Sequence, residues 1–112
     1  IDLDNKLNLT RFSKLMFVYL SHNQIRNVKR SYFSNLINLI DLDLSFNQIE
    51  LIENQSFPTK SLKILDLKSN RLKIFSDKFL TSNYDVNIRF LYLDNNQLND
   101  FEFNTIFENY FY

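Results

Sequence analysis

One eleven-residue pattern recurs four times in this chain, and it limits the possible folds more than any other feature. Leu15 to Ile25 (LMFVYLSHNQI), Leu39 to Ile49 (LIDLDLSFNQI), Leu62 to Leu72 (LKILDLKSNRL) and Ile88 to Leu98 (IRFLYLDNNQL) each carry an aliphatic residue at places one, four, six and eleven. Place nine is always asparagine: Asn23, Asn47, Asn70 and Asn96, separated by 24, 23 and 26 residues. Self-similarity at such a period is the mark of a solenoid, in which one unit cannot bury its apolar side until its neighbours cover it. Val18 and Leu20, Leu42 and Leu44, Leu65 and Leu67, and Leu91 and Leu93 alternate with other residues, so each pair points inward from a short strand. Successive strands are expected to stack in parallel, one per coil. Each fully covered aliphatic then contributes on the order of 1.5–3 kcal/mol. An amide side chain both donates and accepts. The four asparagines are therefore expected to form a buried ladder that satisfies backbone groups where the chain bends after each strand. An antiparallel sandwich would share the period-two alternation, but it gives no reason for asparagine at one fixed offset.

The pattern resembles that of the leucine-rich repeat family, L-x-x-L-x-L-x-x-N-x-L, over nearly the whole chain. The likeness continues between the windows. Val28, Phe33 and Leu36, then Ile52 and Phe57, then Phe75 and Leu80 stand where the 24-residue subtype carries outer aliphatics and a phenylalanine. Lys60 stands where an aliphatic is expected, and a short insertion follows around TSNYDVN. The resemblance implies an α/β solenoid wound as a right-handed superhelix, with a short parallel sheet on its concave face and loops or short helical turns on its convex face. It divides a single domain, 1–112, into a partial coil at 1–14 and repeats at 15–38, 39–61, 62–87 and 88–112. In the same frame Ile1, Leu9 and Phe12 fall on core places of an earlier coil, and Leu98, Phe101 and Ile106 continue the last one. The aromatic tail Phe107, Tyr110, Phe111 and Tyr112 is expected to meet further repeats, to cap the last coil, or to mediate self-association through an uncapped end.

Composition removes several function classes. With no glycine the chain cannot build phosphate-cradling loops of the P-loop or dinucleotide type, and with no cysteine it has no disulfide, thiolate ligand or thiol nucleophile. A single histidine, His22, cannot make a multi-histidine metal site. Thirteen basic and thirteen acidic side chains balance, so no long-range field draws the molecule to nucleic acid or an anionic membrane. No apolar run approaches the roughly 18 residues of a membrane span. No cofactor, resident metal or catalytic residue is expected, because no nucleophile–base pair is evident.

In the leucine-rich repeat family the residues between the inward aliphatics face the concave side, the usual ligand surface. The resemblance therefore places partner contacts at Phe17, Tyr19, Asp41, Asp43, Asp66, Lys68, Phe90, Tyr92 and Asp94. Ser21, Ser45 and Ile64 share that face, and place eight adds His22, Phe46, Ser69 and Asn95 at one edge. An acidic middle lies between two aromatic-bearing strands. Exposed aromatics are enriched among interface anchors, and adjacent carboxylates favour a cationic partner group. Tyr19, Tyr92, Asp43 and Asp66 are the leading contacts. A hard cation on Asp41, Asp43 and Asp66 is the weaker reading, since no loop carbonyls are preset around them. Two sequons, at Asn8 and Asn54, are about as many as chance supplies in so asparagine-rich a chain. The 24-residue period resembles repeats of secreted and cell-surface proteins. The expected role is thus a non-catalytic protein-binding module in an extracellular receptor, adhesion or innate-immune protein. The alternatives are an intracellular scaffold or substrate adaptor, and a structural spacer.

Overall fold

A computed structural model of the chain describes residues 9–81 and 86–102, with the backbone alone for Thr10 and for residues 100–102. Asn8, Ile1, part of the insertion after Thr81, Ile106 and the aromatic tail lie outside the described residues.

Each of the four windows folds as a three-residue strand: β1 (Phe17–Tyr19), β3 (Asp41–Asp43), β5 (Ile64–Asp66) and β7 (Phe90–Tyr92). Each is followed by an outer strand, β2 (Asn27–Val28), β4 (Leu51–Ile52), β6 (Ile74–Ser76) and β8 (Asp100–Glu102). The main sheet has the order β1-β3-β5-β7, and every pairing in it is parallel. The antiparallel sandwich is thereby excluded. Equivalent places of successive coils are register partners: Val18 pairs with Leu42, Leu42 with Leu65, and Leu65 with Leu91.

The core lies along one side of this sheet. Leu42, Leu44, Leu65 and Leu67, flanked by coils on both sides, are fully buried (0% exposed), whereas Val18, Leu20 and Leu91 in the outermost strands keep 5–8%. This gradient is the burial expected when each coil depends on its neighbours. Phe33, Phe57 and Phe75 fill the space behind the sheet, each at most 1% exposed. Phe12 departs from its expected core place and is exposed, while Leu9 packs partly buried against the core. Phe12 stands at the end of the described stack.

The outer half of the coils is less uniform than the sheet. After β2 the chain makes a single helical turn, α1 (Arg30–Phe33), and after β6 a 3-10 turn (Asp77–Phe79), begun by Ser76 Oγ accepting from Lys78 N at 3.2 Å. The coil between them stays extended around Phe57, which forms a parallel bridge to Leu80. Pro58 accounts for the difference, because a proline disfavours the helical conformation of the residue before it. Beyond the expected loops and helical turns, the outer side also carries two small parallel ladders, β2 with β4 and β6 with β8.

Candidate partner-binding face

The asparagine ladder sets the geometry of the site. Asn47 Nδ2 donates to Leu20 O, Leu44 O and Ser45 O at 3.0–3.1 Å, and its Oδ1 accepts from Ile25 N at 3.2 Å. Asn70 repeats the arrangement one coil on, donating to Leu44 O and Leu67 O at 3.0 Å and accepting from Ile49 N at 3.0 Å. Asn96 does the same with Leu67 O, Leu93 O and Leu72 N. Asn47 and Asn70 are buried, as expected of the ladder; Asn23 and Asn96, in the first and last of the four described windows, are only half-buried. Amides that tie each coil to the previous one hold the strands at fixed register, and hence fix the side chains on their outward face.

That bend requires an unusual backbone. His22, Phe46, Ser69 and Asn95, all at place eight, have φ between 55° and 58°. This is the left-handed region, which costs a non-glycine L-residue roughly 1–2 kcal/mol. Asparagine tolerates it best, yet only Asn95 is one. The conformation projects place eight to the sheet edge, where the His22 and Phe46 rings stack at 4.5 Å with an interplanar angle of 9°.

A second polar ladder runs along the other edge of the sheet. Asn38 Nδ2 donates to Ser13 O at 2.9 Å, Ser61 Oγ to Ile37 O at 2.7 Å, and Asn87 Nδ2 to Lys60 O at 2.8 Å. Each occupies the place just before the first aliphatic of its window. The recurring polar side chain was a readable signal, interrupted only by Lys14 in the first window.

Between the two ladders lies the outward face. Phe17 and Tyr19 on β1, and Phe90 and Tyr92 on β7, are all exposed by 40–62%, and each pair stacks with ring centroids 6.4 Å apart. They form two aromatic walls. Asp41, Asp43, Ile64 and Asp66 are half-buried on the two strands between them. Register pairs Phe17 with Asp41, Tyr19 with Asp43, Asp43 with Asp66, and Asp66 with Tyr92. The nine contact residues expected from the sequence thus fall on one face, with Asp94 exposed at its end. Ser45 does not join them. It is buried, because its backbone N and Oγ both donate to Asp43 Oδ1, at 2.9 and 2.6 Å.

The acidic residues have intramolecular duties as well. Asp66 Oδ1 accepts from Lys68 N at 3.1 Å, the same turn-closing bond that Asp43 makes with Ser45. Lys68 Nζ comes back to Asp66 Oδ2 at 3.3 Å and lies 5.7 Å from the centre of the Tyr92 ring. The charge of Asp66 holds the Lys68 ammonium above its ordinary pKa, with smaller help from Asp94 and Asp43. Tyr19 OH donates to Asp41 Oδ2 at 3.2 Å. Burial raises the Asp41 pKa; the charges of Asp43 and Asp66 add to this, and the Tyr19 hydrogen bond opposes it. The Tyr19 hydroxyl is raised too, by partial desolvation and then by the negative charge of Asp41. Among the described residues, no group of three or more His, Asp or Glu side chains is arranged to hold a metal ion.

Residues 13–72, over half the chain, match the sequence profile of the Leucine rich repeat family. The chain belongs to the leucine-rich repeat family. The fold is accordingly a leucine-rich repeat solenoid, with its parallel sheet on one side and irregular turns on the other. Among curated proteins this leucine-rich repeat chain is similar to Tsukushi of Xenopus tropicalis, 44% identical over 61 residues, or 54% of this chain. It is 39% identical over 74 residues, 65% of its length, to leucine-rich repeat-containing G-protein coupled receptor 5 of Rattus norvegicus. A probable glycoprotein hormone G-protein coupled receptor of Anthopleura elegantissima is 39% identical over 69 residues. The match spans 17% of Tsukushi and 8% of each receptor. No helix among the described residues is long and apolar enough to cross a membrane.

Proposed function

We propose that this leucine-rich repeat segment is a non-catalytic recognition module of an extracellular or cell-surface protein, and that it binds a protein through the outward face of its sheet. One observation carries the reading: four exposed rings in two stacked pairs flank half-buried carboxylates on a face that the asparagine ladder holds rigid. Aromatic residues anchor interfaces with large contact area and little rotamer entropy to lose. A preformed sheet adds little ordering cost on binding. Two relatives are named as G-protein coupled receptors, which supports a place at the cell surface. Innate-immune or adhesion roles are narrower versions of the same reading.

The four strands span only about 14 Å at 4.8 Å spacing, less than a standard interface of about 800 Å² per partner needs. The face therefore works with the sheet edges, where His22 and Phe46 stack, or with neighbouring repeats. The test is site-specific photocrosslinking in the protein made in its own cells. A photoreactive phenylalanine analogue at Tyr92 is expected to capture a protein partner. The same group at Leu51, exposed on the outer side, is expected not to. Equal capture from both positions, or capture from Leu51 alone, overturns the assignment of this face.

A further inference from the structure

The row Tyr19, Asp43, Asp66, Tyr92 runs ring, carboxylate, carboxylate, ring across the sheet. Its residue types are symmetric about the seam between β3 and β5, but its occupancy is not. On the β5–β7 half, Lys68 seats its ammonium 3.3 Å from Asp66 and 5.7 Å from the Tyr92 ring centre, so one cation is held by a carboxylate and an aromatic together. The β1–β3 half offers the same two groups in Tyr19 and Asp43, and adds the Phe17 ring and the Asp41 carboxylate. Among the described residues, no lysine or arginine pairs with Asp41 or Asp43. Among the described residues Asp43 commits only Oδ1, to Ser45, and Asp41 only Oδ2, to Tyr19, which leaves one oxygen on each for an incoming donor. Across the face, Asp41, Asp43, Asp66 and Asp94 stand against the single charge of Lys68.

We propose that the β1–β3 half receives a lysine or arginine side chain from a basic segment of a protein partner, seated on the Asp41 and Asp43 carboxylates beside the Phe17 and Tyr19 rings as Lys68 is seated on the other half. This rests on the sheet-face reading above and names the chemistry of its partner. The rings choose a side chain over a free ion. The alkyl stem of lysine or arginine packs on apolar surface while its head stays polar, and aromatic faces attract the cation itself. A hard metal ion wants six or more oxygens, mostly preset, and this half leaves two uncommitted. Buried cationic groups at interfaces also fix register and partner choice.

The test titrates a fluorescein-labelled hexa-arginine peptide into the full 112-residue chain at low ionic strength, following anisotropy. Wild type is expected to bind saturably. The double variant Asp41→Asn with Asp43→Asn keeps an oxygen for the Tyr19 and Ser45 donors, so the fold persists, as circular dichroism checks; its affinity should fall about tenfold or more. Lys68→Met frees Asp66 and Tyr92 for a second cationic side chain and should tighten binding several-fold. Lys73→Met, beside the outer strand β6, changes net charge equally and should leave affinity as it was. Three results overturn the proposal: no saturable binding by wild type up to millimolar peptide; unchanged affinity in the double asparagine variant; or Lys73→Met tightening as much as Lys68→Met, which would reduce the effect to net charge. Calcium chloride bound through Asp41 and Asp43, with displacement of the peptide, would give the site to a metal ion instead. Any of these beside a partner crosslinked at Tyr92 removes the cation seat and spares the binding face, whereas loss of the Tyr92 crosslink removes the face itself.

Discussion

Replacing Asn70 by alanine isolates what the ladder contributes. Asn70 Nδ2 donates to Leu44 O, Leu67 O and Lys68 O, but none of these carbonyls is orphaned when it goes: Leu44 O still accepts from Asn47, Leu67 O from Asn96, and Lys68 O from Phe46 N. Ile49 N is different. Its acceptor is Asn70 Oδ1 at 3.0 Å, in a buried setting that water does not reach. The loss is therefore one buried unsatisfied donor, about 1–3 kcal/mol, together with three carbonyls reduced from two partners to one. The sum falls in the upper half of that range, about 2–3 kcal/mol. Asn96→Ala breaks the equivalent bond to Leu72 N in a half-buried place, where water can substitute, and should cost about 1 kcal/mol. Urea unfolding of wild type and both variants, followed by circular dichroism with a shared slope, measures the two losses. A loss below about 0.5 kcal/mol for Asn70→Ala, or a larger loss for Asn96→Ala, would refute the idea that burial of a single amide–backbone pair sets the ladder's strength.

Two further predictions follow from backbone and charge. Ser69 holds φ 57° without an asparagine's tolerance for it, so Ser69→Asn should stabilise the fold by about 0.5–1 kcal/mol, read as a raised urea midpoint; a lowered midpoint would mean that the bend carries no strain at this residue. The Asp41 carboxyl is held above its ordinary pKa, mainly by burial. The folded chain thus binds the proton more tightly than the unfolded one, and this residue makes the fold less stable as pH rises from the ordinary carboxylate value of about 3.9 through its raised value. Asp41→Asn should flatten stability against pH in that window, and an unaltered slope in a series of denaturation curves would contradict the burial.

The parts that could be read in advance are those for which coil stacking leaves one solution. Inward aliphatics at places four and six must face a neighbouring coil, and the ninth-place amide must meet the groups left open by the bend. Leu42, Leu65, Asn47 and Asn70 therefore stand where their spacing puts them. Place eight was opaque for the opposite reason. His22, Phe46, Ser69 and Asn95 share no chemistry, because the backbone of the coil dictates their φ whatever side chain is attached. Ser45 looked outward by alternation, yet it turns under to meet Asp43, a local side-chain-to-backbone turn that period-two reasoning does not contain. The same bond gives Asp43 a duty in holding its own turn, in addition to any it has toward a partner. Phe12 was placed by counting back through a frame whose burial depends on a neighbour on each side, and it is exposed at the end of the described residues.

Coil length and strand register are uncoupled in this molecule. The ladder asparagines lie 24, 23 and 26 residues apart, yet Phe17, Asp41, Ile64 and Phe90 remain direct partners in unbroken sequence along the sheet. Phe33, Phe57 and Leu80 each follow their ladder asparagine by ten residues, so residues gained or lost fall between that place and the next window. Such a scaffold can lengthen or shorten its back over evolutionary time while the pattern of rings and carboxylates on its front stays aligned to the residue, so the two surfaces are free to diversify under separate selection.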